Sequence, residues 1–110
     1  MARPDRAGVT ASDTPARLEA SARGRVQGVG FRYYVLREAA SRGLTGWVAN
    51  APDGSVRCVA EGPRERLEEL AERLRAGPPS AVVEAVDVAW TSFTGGFERF
   101  GVRSGGHSGD

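Results

Sequence analysis

Three glycines punctuate the run Gly24-Arg25-Val26-Gln27-Gly28-Val29-Gly30-Phe31-Arg32, on which the architecture turns. Before it, Leu18, Ala20 and Ala22 alternate with Glu19, Ser21 and Arg23, the period-two pattern of a half-buried strand with small inward residues. After it, Phe31, Tyr34, Val35 and Ala39 recur at helical spacing as far as Arg42, and Gly43 supplies the left-handed residue that ends a helix. The quoted residues therefore join a strand to a helix. Their glycines let the backbone turn sharply and aim several N–H groups at one point, beside the positive end of the helix dipole. Such a loop is a candidate anion cradle, and a tight turn that uses glycine for geometry alone explains the same spacing. It matches neither Gly-x4-Gly-Lys-Ser/Thr nor Gly-x-Gly-x-x-Gly, so nucleotide binding has no motif support.

Working outward, Leu44 to Ala49 and Ser55 to Glu61 flank Asn50-Ala51-Pro52-Asp53-Gly54, whose Pro-Asp-Gly signal predicts an antiparallel hairpin. Its inward face is expected to be Val56, Cys58 and Ala60. Pro63 opens a second helix with Leu67, Leu70, Ala71 and Leu74 on one face and Arg and Glu on the other, and Gly77 closes it before Pro78-Pro79. The Arg64–Glu68 and Glu69–Arg73 spacings are i,i+4 pairs on a solvated face. Val82 to Trp90 reads as a strand with Val86, Val88 and Trp90 on one side, and Phe100 and Val102 suggest a short final strand. The order βαββαβ gives two amphipathic helices that need a cover. A mainly antiparallel sheet with both helices on one face satisfies both, so the predicted class is α+β, a ferredoxin-like α/β sandwich.

Length and composition agree. The 110 residues suit one domain, and 40% hydrophobic with 26% charged residues is ordinary globular composition. The expected boundaries are a flexible arm over 1–16, rich in Pro, Gly and charge, a domain over 17–103, and a flexible Gly/Ser tail over 104–110. All fifteen basic residues are Arg, which removes lysine nucleophiles and Schiff bases. The net charge of +1 provides no electrostatic drive toward nucleic acid or anionic lipid. With Cys58 the single cysteine and His107 the single histidine, in the tail, neither an internal disulfide nor a zinc or iron cluster is expected, and no metal or other cofactor is assigned. The same count disfavours Ser-His and Cys-His nucleophilic devices. No run approaches the roughly 20 apolar residues of a membrane span, and residues 1–16 lack the apolar core of a secretory signal. A soluble, cytoplasmic protein is expected. Cys58 reads as a small core residue, Asp53 and Glu61 as turn and surface groups, and most aromatic residues as core or sheet-face packing.

Two further polar residues are site candidates. Arg32, in the first turn of the first helix, is placed to fold its guanidinium over the glycine loop and meet a phosphoryl group bidentately; a merely solvated arginine fits the position equally. Asn50 ends an apolar segment just before the hairpin turn, where a turn cap is the ordinary explanation. If the central strands lie side by side, Asn50 and the loop share one edge of the sheet.

These residues resemble the acylphosphatase family. Its first signature, Gly-x-Val-Gln-Gly-Val-x-Phe-Arg, is met by Gly24, Val26, Gln27, Gly28, Val29, Phe31 and Arg32. Its second, Gly-aromatic-Val-x-Asn-x3-Gly-x-Val followed by a Gly, is met by Gly46, Trp47, Val48, Asn50, Gly54, Val56 and Gly62. The resemblance covers about residues 17–103. Ala22 and Arg23 stand where members often carry larger apolar residues, Ala49 replaces a frequent Lys, and the C-terminal ending differs.

The resemblance implies the same fold and a metal-independent hydrolysis of acyl phosphates to a carboxylate and inorganic phosphate. Carried over by position, it gives Arg32 to the phosphoryl group and Asn50 to the attacking water, with backbone donors from Arg25, Val26, Gln27, Gly28, Val29 and Gly30. It also implies a small-molecule acyl phosphate as partner, with no nucleic acid or membrane, and a monomer. Two alternatives use the same features: a non-catalytic anion- or acyl-phosphate-binding regulatory module, and a ferredoxin-like RNA binder, which the near-zero net charge opposes.

Overall fold

The structure, a computed structural model, describes residues 14–103. The residues 104–110, with His107, and most of the expected N-terminal arm lie outside the described part. The elements are β1 (Pro15–Arg25), α1 (Phe31–Ser41), β2 (Thr45–Asn50), β3 (Val56–Pro63), α2 (Arg64–Ala76), β4 (Val82–Thr91) and β5 (Phe100–Arg103). They form one five-stranded sheet in the order β4-β1-β3-β2-β5. All neighbours are antiparallel except β2 and β5, which run parallel. Both helices lie on one face, so the ferredoxin-like α+β architecture read from the pattern is the one found.

Alternation sets the two faces of the sheet. Leu18, Ala20 and Ala22 of β1 stand opposite Ala60, Cys58 and Val56 of β3, and all six are buried. Gly46 and Val48 continue this row on β2, and Trp90, Val88 and Val86 continue it on β4. The row packs against Phe31, Val35 and Ala39 of α1 and against Leu67, Leu70, Ala71 and Leu74 of α2. Small residues on β1 let the helices approach closely, and the larger apolar volume comes from the helices themselves.

The boundaries differ from expectation where pairing overrides local pattern. The first strand starts at Pro15, within the expected arm, because β3 extends to Pro63 and pairs with it. Pro63 precedes α2 instead of opening it, with extended backbone at φ −60 and ψ 137. The Arg64–Glu68 ion pair forms at 3.1 Å, but Glu69 pairs with Arg42 and Arg66, and Arg73 faces Glu38. Tyr33 and Phe93 are exposed, whereas Phe31 and Phe100 are buried.

Glu61 departs most. It is buried, although its register puts it on the face away from the helices. The connection 92–99 crosses that face on its way from β4, at one edge of the sheet, to β5, at the other. It covers the carboxylate there.

Candidate active site

The loop between β1 and α1 follows from its glycines. Gly28 and Gly30 adopt φ 75 and φ 80, the left-handed region that costs other L-residues about 1 kcal/mol or more. Backbone of this kind can aim successive N–H groups at one concave side, the arrangement that suits an oxyanion. Val26 anchors the start of the loop in the core, and Ser80 Oγ donates to the Val29 carbonyl at 2.7 Å. Arg25 is exposed at the end of β1. The loop runs straight into α1, whose N-cap is Gly30 and whose first turn carries no acidic residue to neutralise the dipole.

Gln27 joins this loop to the β2–β3 turn. Its Nε2 donates to the carbonyls of Ala51 and Ser55 at 2.8 and 2.9 Å. These residues bracket the β2–β3 turn, which Asp53 braces by accepting from Ser55 N at 2.9 Å and Ser55 Oγ at 2.6 Å. Those two hydrogen bonds hold the Asp53 carboxyl below its usual range. Asn50, the last residue of β2, immediately precedes the turn and is 7% exposed. It follows Gly46 and Val48 on the helix side of the sheet.

Arg32 reaches the same end of the sheet. Its Nη1 donates to the carbonyl of Arg103 at 3.4 Å, so its partner is β5 rather than the glycine loop. Arg103 is the register partner of Ala49, the residue before Asn50. The loop's Gln27 thus bonds the turn after Asn50, and Arg32 bonds β5 beside Ala49, at the end of the sheet where β2 and β5 pack against α1. Arg103 lies 4.8 Å over the Trp47 ring on the open face, beside a pocket of about 190 Å³ lined by Trp47, Ala49, Asn50, Ala51, Pro52 and Arg57. Neither the Arg103 carbonyl as a partner of Arg32 nor this pocket was foreseen; the first depends on a parallel pairing that no local pattern encodes.

Cys58 is fully buried, and burial pushes its thiol up to about 12, which makes it inert as a nucleophile. Among the described residues no group of three His, Cys, Asp or Glu side chains is placed to hold a metal ion. No helix among them is long and apolar enough to cross a membrane. The β1–α1 loop, Arg32 and Asn50 bring main-chain N–H groups, a guanidinium and a carboxamide, groups able to hold an anion and to align a water molecule.

Comparison with known proteins points the same way. The family model described as Acylphosphatase matches residues 18–102. The chain is 51% identical over 90 residues to the acylphosphatase of Salinibacter ruber, covering 82% of this chain and 95% of that one. It is 47% identical over 89 residues to that of Syntrophotalea carbinolica, covering 81% and 97%. Among solved structures, the acylphosphatase from Bacillus subtilis superposes with a TM-score of 0.77 at 40% identity, covering 80% of this chain and 98% of that one.

Proposed function

Because the chain belongs to the acylphosphatase family, we propose how its own residues divide the hydrolysis of a carboxyl–phosphate anhydride. The overall reaction is that of the family: water adds to phosphorus, the bond from phosphorus to the acyl oxygen breaks, and a carboxylate and inorganic phosphate leave. The proton of the water departs with phosphate or to solvent. In this reading Arg32 and the main-chain N–H groups of Arg25 to Gly30 hold the phosphoryl oxygens, and Asn50 orients the water in line.

The chemistry asks little more. Phosphoryl transfer passes through a loose transition state with negative charge spread over the equatorial oxygens, which fixed donors and one guanidinium stabilise without moving. A carboxylate is a good leaving group and needs no proton donor, so the reading requires neither a general acid nor a metal. Holding water and phosphorus in near-attack geometry supplies much of the rest. The observation that carries the assignment is the pair of hydrogen bonds from Gln27 to Ala51 and Ser55, which ties the loop to the turn beside Asn50. The same reading takes residues 17–103 as the catalytic unit, acting as a monomer in the cytoplasm on a small-molecule acyl phosphate.

The test is benzoyl phosphate hydrolysis in excess chelator. Arg32→Ala is expected to lower kcat/KM about 10³-fold or more, and Asn50→Ala about 10²-fold through kcat. Folded variants with undiminished activity would refute the roles. Saturable phosphate binding without turnover in the parent chain would point to a binding module.

A further inference from the structure

Glu61 is a buried carboxylate outside the machinery just described, and its contacts are those of a landing post. It accepts from Thr94 N at 3.0 Å, Thr94 Oγ1 at 2.8 Å, Gly95 N at 3.0 Å and Arg17 Nη1 at 3.4 Å. Arg17, on the adjacent strand β1, also pairs with Glu19 at 2.9 Å and lies 5.5 Å from the centre of the Phe97 ring. Three of the four donors to Glu61 thus come from the connection that spans the open face of the sheet, and the fourth, Arg17, lies against its Phe97.

That connection decides where β5 lands. The segment 92–99 contains no helix or strand and must reach from one sheet edge to the other. Beyond Glu61 its next main-chain tie is Gly46 N to Arg99 O at 3.0 Å, after which β5 pairs with β2 from Phe100 to Arg103. A four-residue parallel edge strand has little pairing of its own to fix its register. A slip of one residue would turn Phe100 and Val102 away from the core and present a different carbonyl to the helix. The carbonyl at stake is that of Arg103, which receives Arg32 Nη1.

We propose that Glu61 is a positioning residue for Arg32, acting through the 92–99 connection and the register of β5. The inference rests on Arg32 binding phosphate, as proposed above. Glu61 touches no substrate. It fixes the connection at mid-sheet, the connection delivers β5, and β5 holds the guanidinium at the site.

The test compares benzoyl phosphate kinetics and competitive inhibition by inorganic phosphate, at a temperature where circular dichroism shows every variant folded. Glu61→Gln and Thr94→Val are expected to raise KM and the phosphate inhibition constant about three- to tenfold, the range set by one hydrogen bond, with a smaller change in kcat. Thr94→Ser, which keeps the hydroxyl, restores both constants. Leu70→Ala, destabilising but distant, leaves them unchanged, which separates positioning from loss of stability. Should Glu61→Gln fail to fold, Thr94→Val decides alone, since it removes the hydroxyl and leaves the carboxylate its bonds from Arg17, Gly95 N and the main-chain N–H of residue 94. Unchanged constants in the folded connection variants, with phosphate binding lost in Arg32→Ala, would overturn this inference only. Phosphate inhibition surviving in Arg32→Ala would overturn the site assignment and this inference with it.

Discussion

The carboxamide of Gln27 donates to the carbonyl of Ser55 at 2.9 Å across 28 residues of chain. The same carbonyl accepts from Ala51 N at 2.8 Å, so the turn closes on itself and on the glycine loop at one atom. Gln27→Ala should leave the turn hydrogen bond intact while freeing the loop. The expected cost is about 1 kcal/mol in stability and about a ten- to hundredfold loss in kcat/KM from misplacement of the loop. Gln27→Glu should do worse, because a carboxylate cannot donate to either carbonyl and repels an anionic substrate. Thermal unfolding together with benzoyl phosphate kinetics measures both; wild-type kinetics for Gln27→Ala would show that the loop holds its shape alone.

Gly30 separates conformation from packing. An added Cβ would meet nothing within 4 Å, yet the residue has φ 80. Gly30→Ala should therefore cost about 1–2 kcal/mol through backbone strain alone and weaken inhibition by inorganic phosphate. A D-alanine at the same position, made by chemical ligation, should recover both. Equal phosphate affinity in the L-alanine and parent chains would remove the loop geometry from the binding account.

Cys58 should be chemically silent in the folded chain. Its thiol is fully buried and pushed up to about 12. Alkylation at pH 8 is expected to proceed only at the rate of opening, and to accelerate in denaturant in step with unfolding. Activity should survive prolonged exposure to iodoacetamide under native conditions. Rapid inactivation that is independent of unfolding would contradict this.

Glu61 should shape acid stability. Burial pushes its carboxyl up, but hydrogen bonds from Thr94, Gly95 and Arg17 outweigh burial and leave it below the ordinary value of 4.5. A carboxyl whose folded pKa is depressed contributes stability that is full above the unfolded pKa and is lost as pH falls through the folded pKa. The gap in unfolding free energy between the parent chain and Glu61→Gln should therefore be widest near pH 7 and shrink below about pH 4. Asp53 is also lowered, but it is present in both chains and cancels in the difference. Urea denaturation across pH tests this, and a gap that stays constant to pH 2.5 would assign the effect to packing.

The strands, helices and their inward faces were legible in sequence because burial follows local periodicity. Leu18, Ala20 and Ala22, and Leu67, Leu70 and Leu74, each announce one face through spacing alone. The glycine loop, Arg32 and Asn50 were legible for a different reason: backbone turns, a first-turn guanidinium and a strand-end carboxamide each have a recognisable place in the chain. Glu61 was misread as a surface group because alternation correctly put it on the face away from the helices, and nothing local reveals that residues 92–99 return across that face.

Element order and the core rows can be read from the chain alone, since these depend on neighbours within a few positions. It took the assembled sheet to set β5 beside β2, Arg103 against Arg32, Gln27 on the turn after Asn50, and a carboxylate under the crossing segment. Each of those contacts joins residues more than twenty positions apart. Their free energy comes from the whole sheet closing, so no short stretch of chain carries the information.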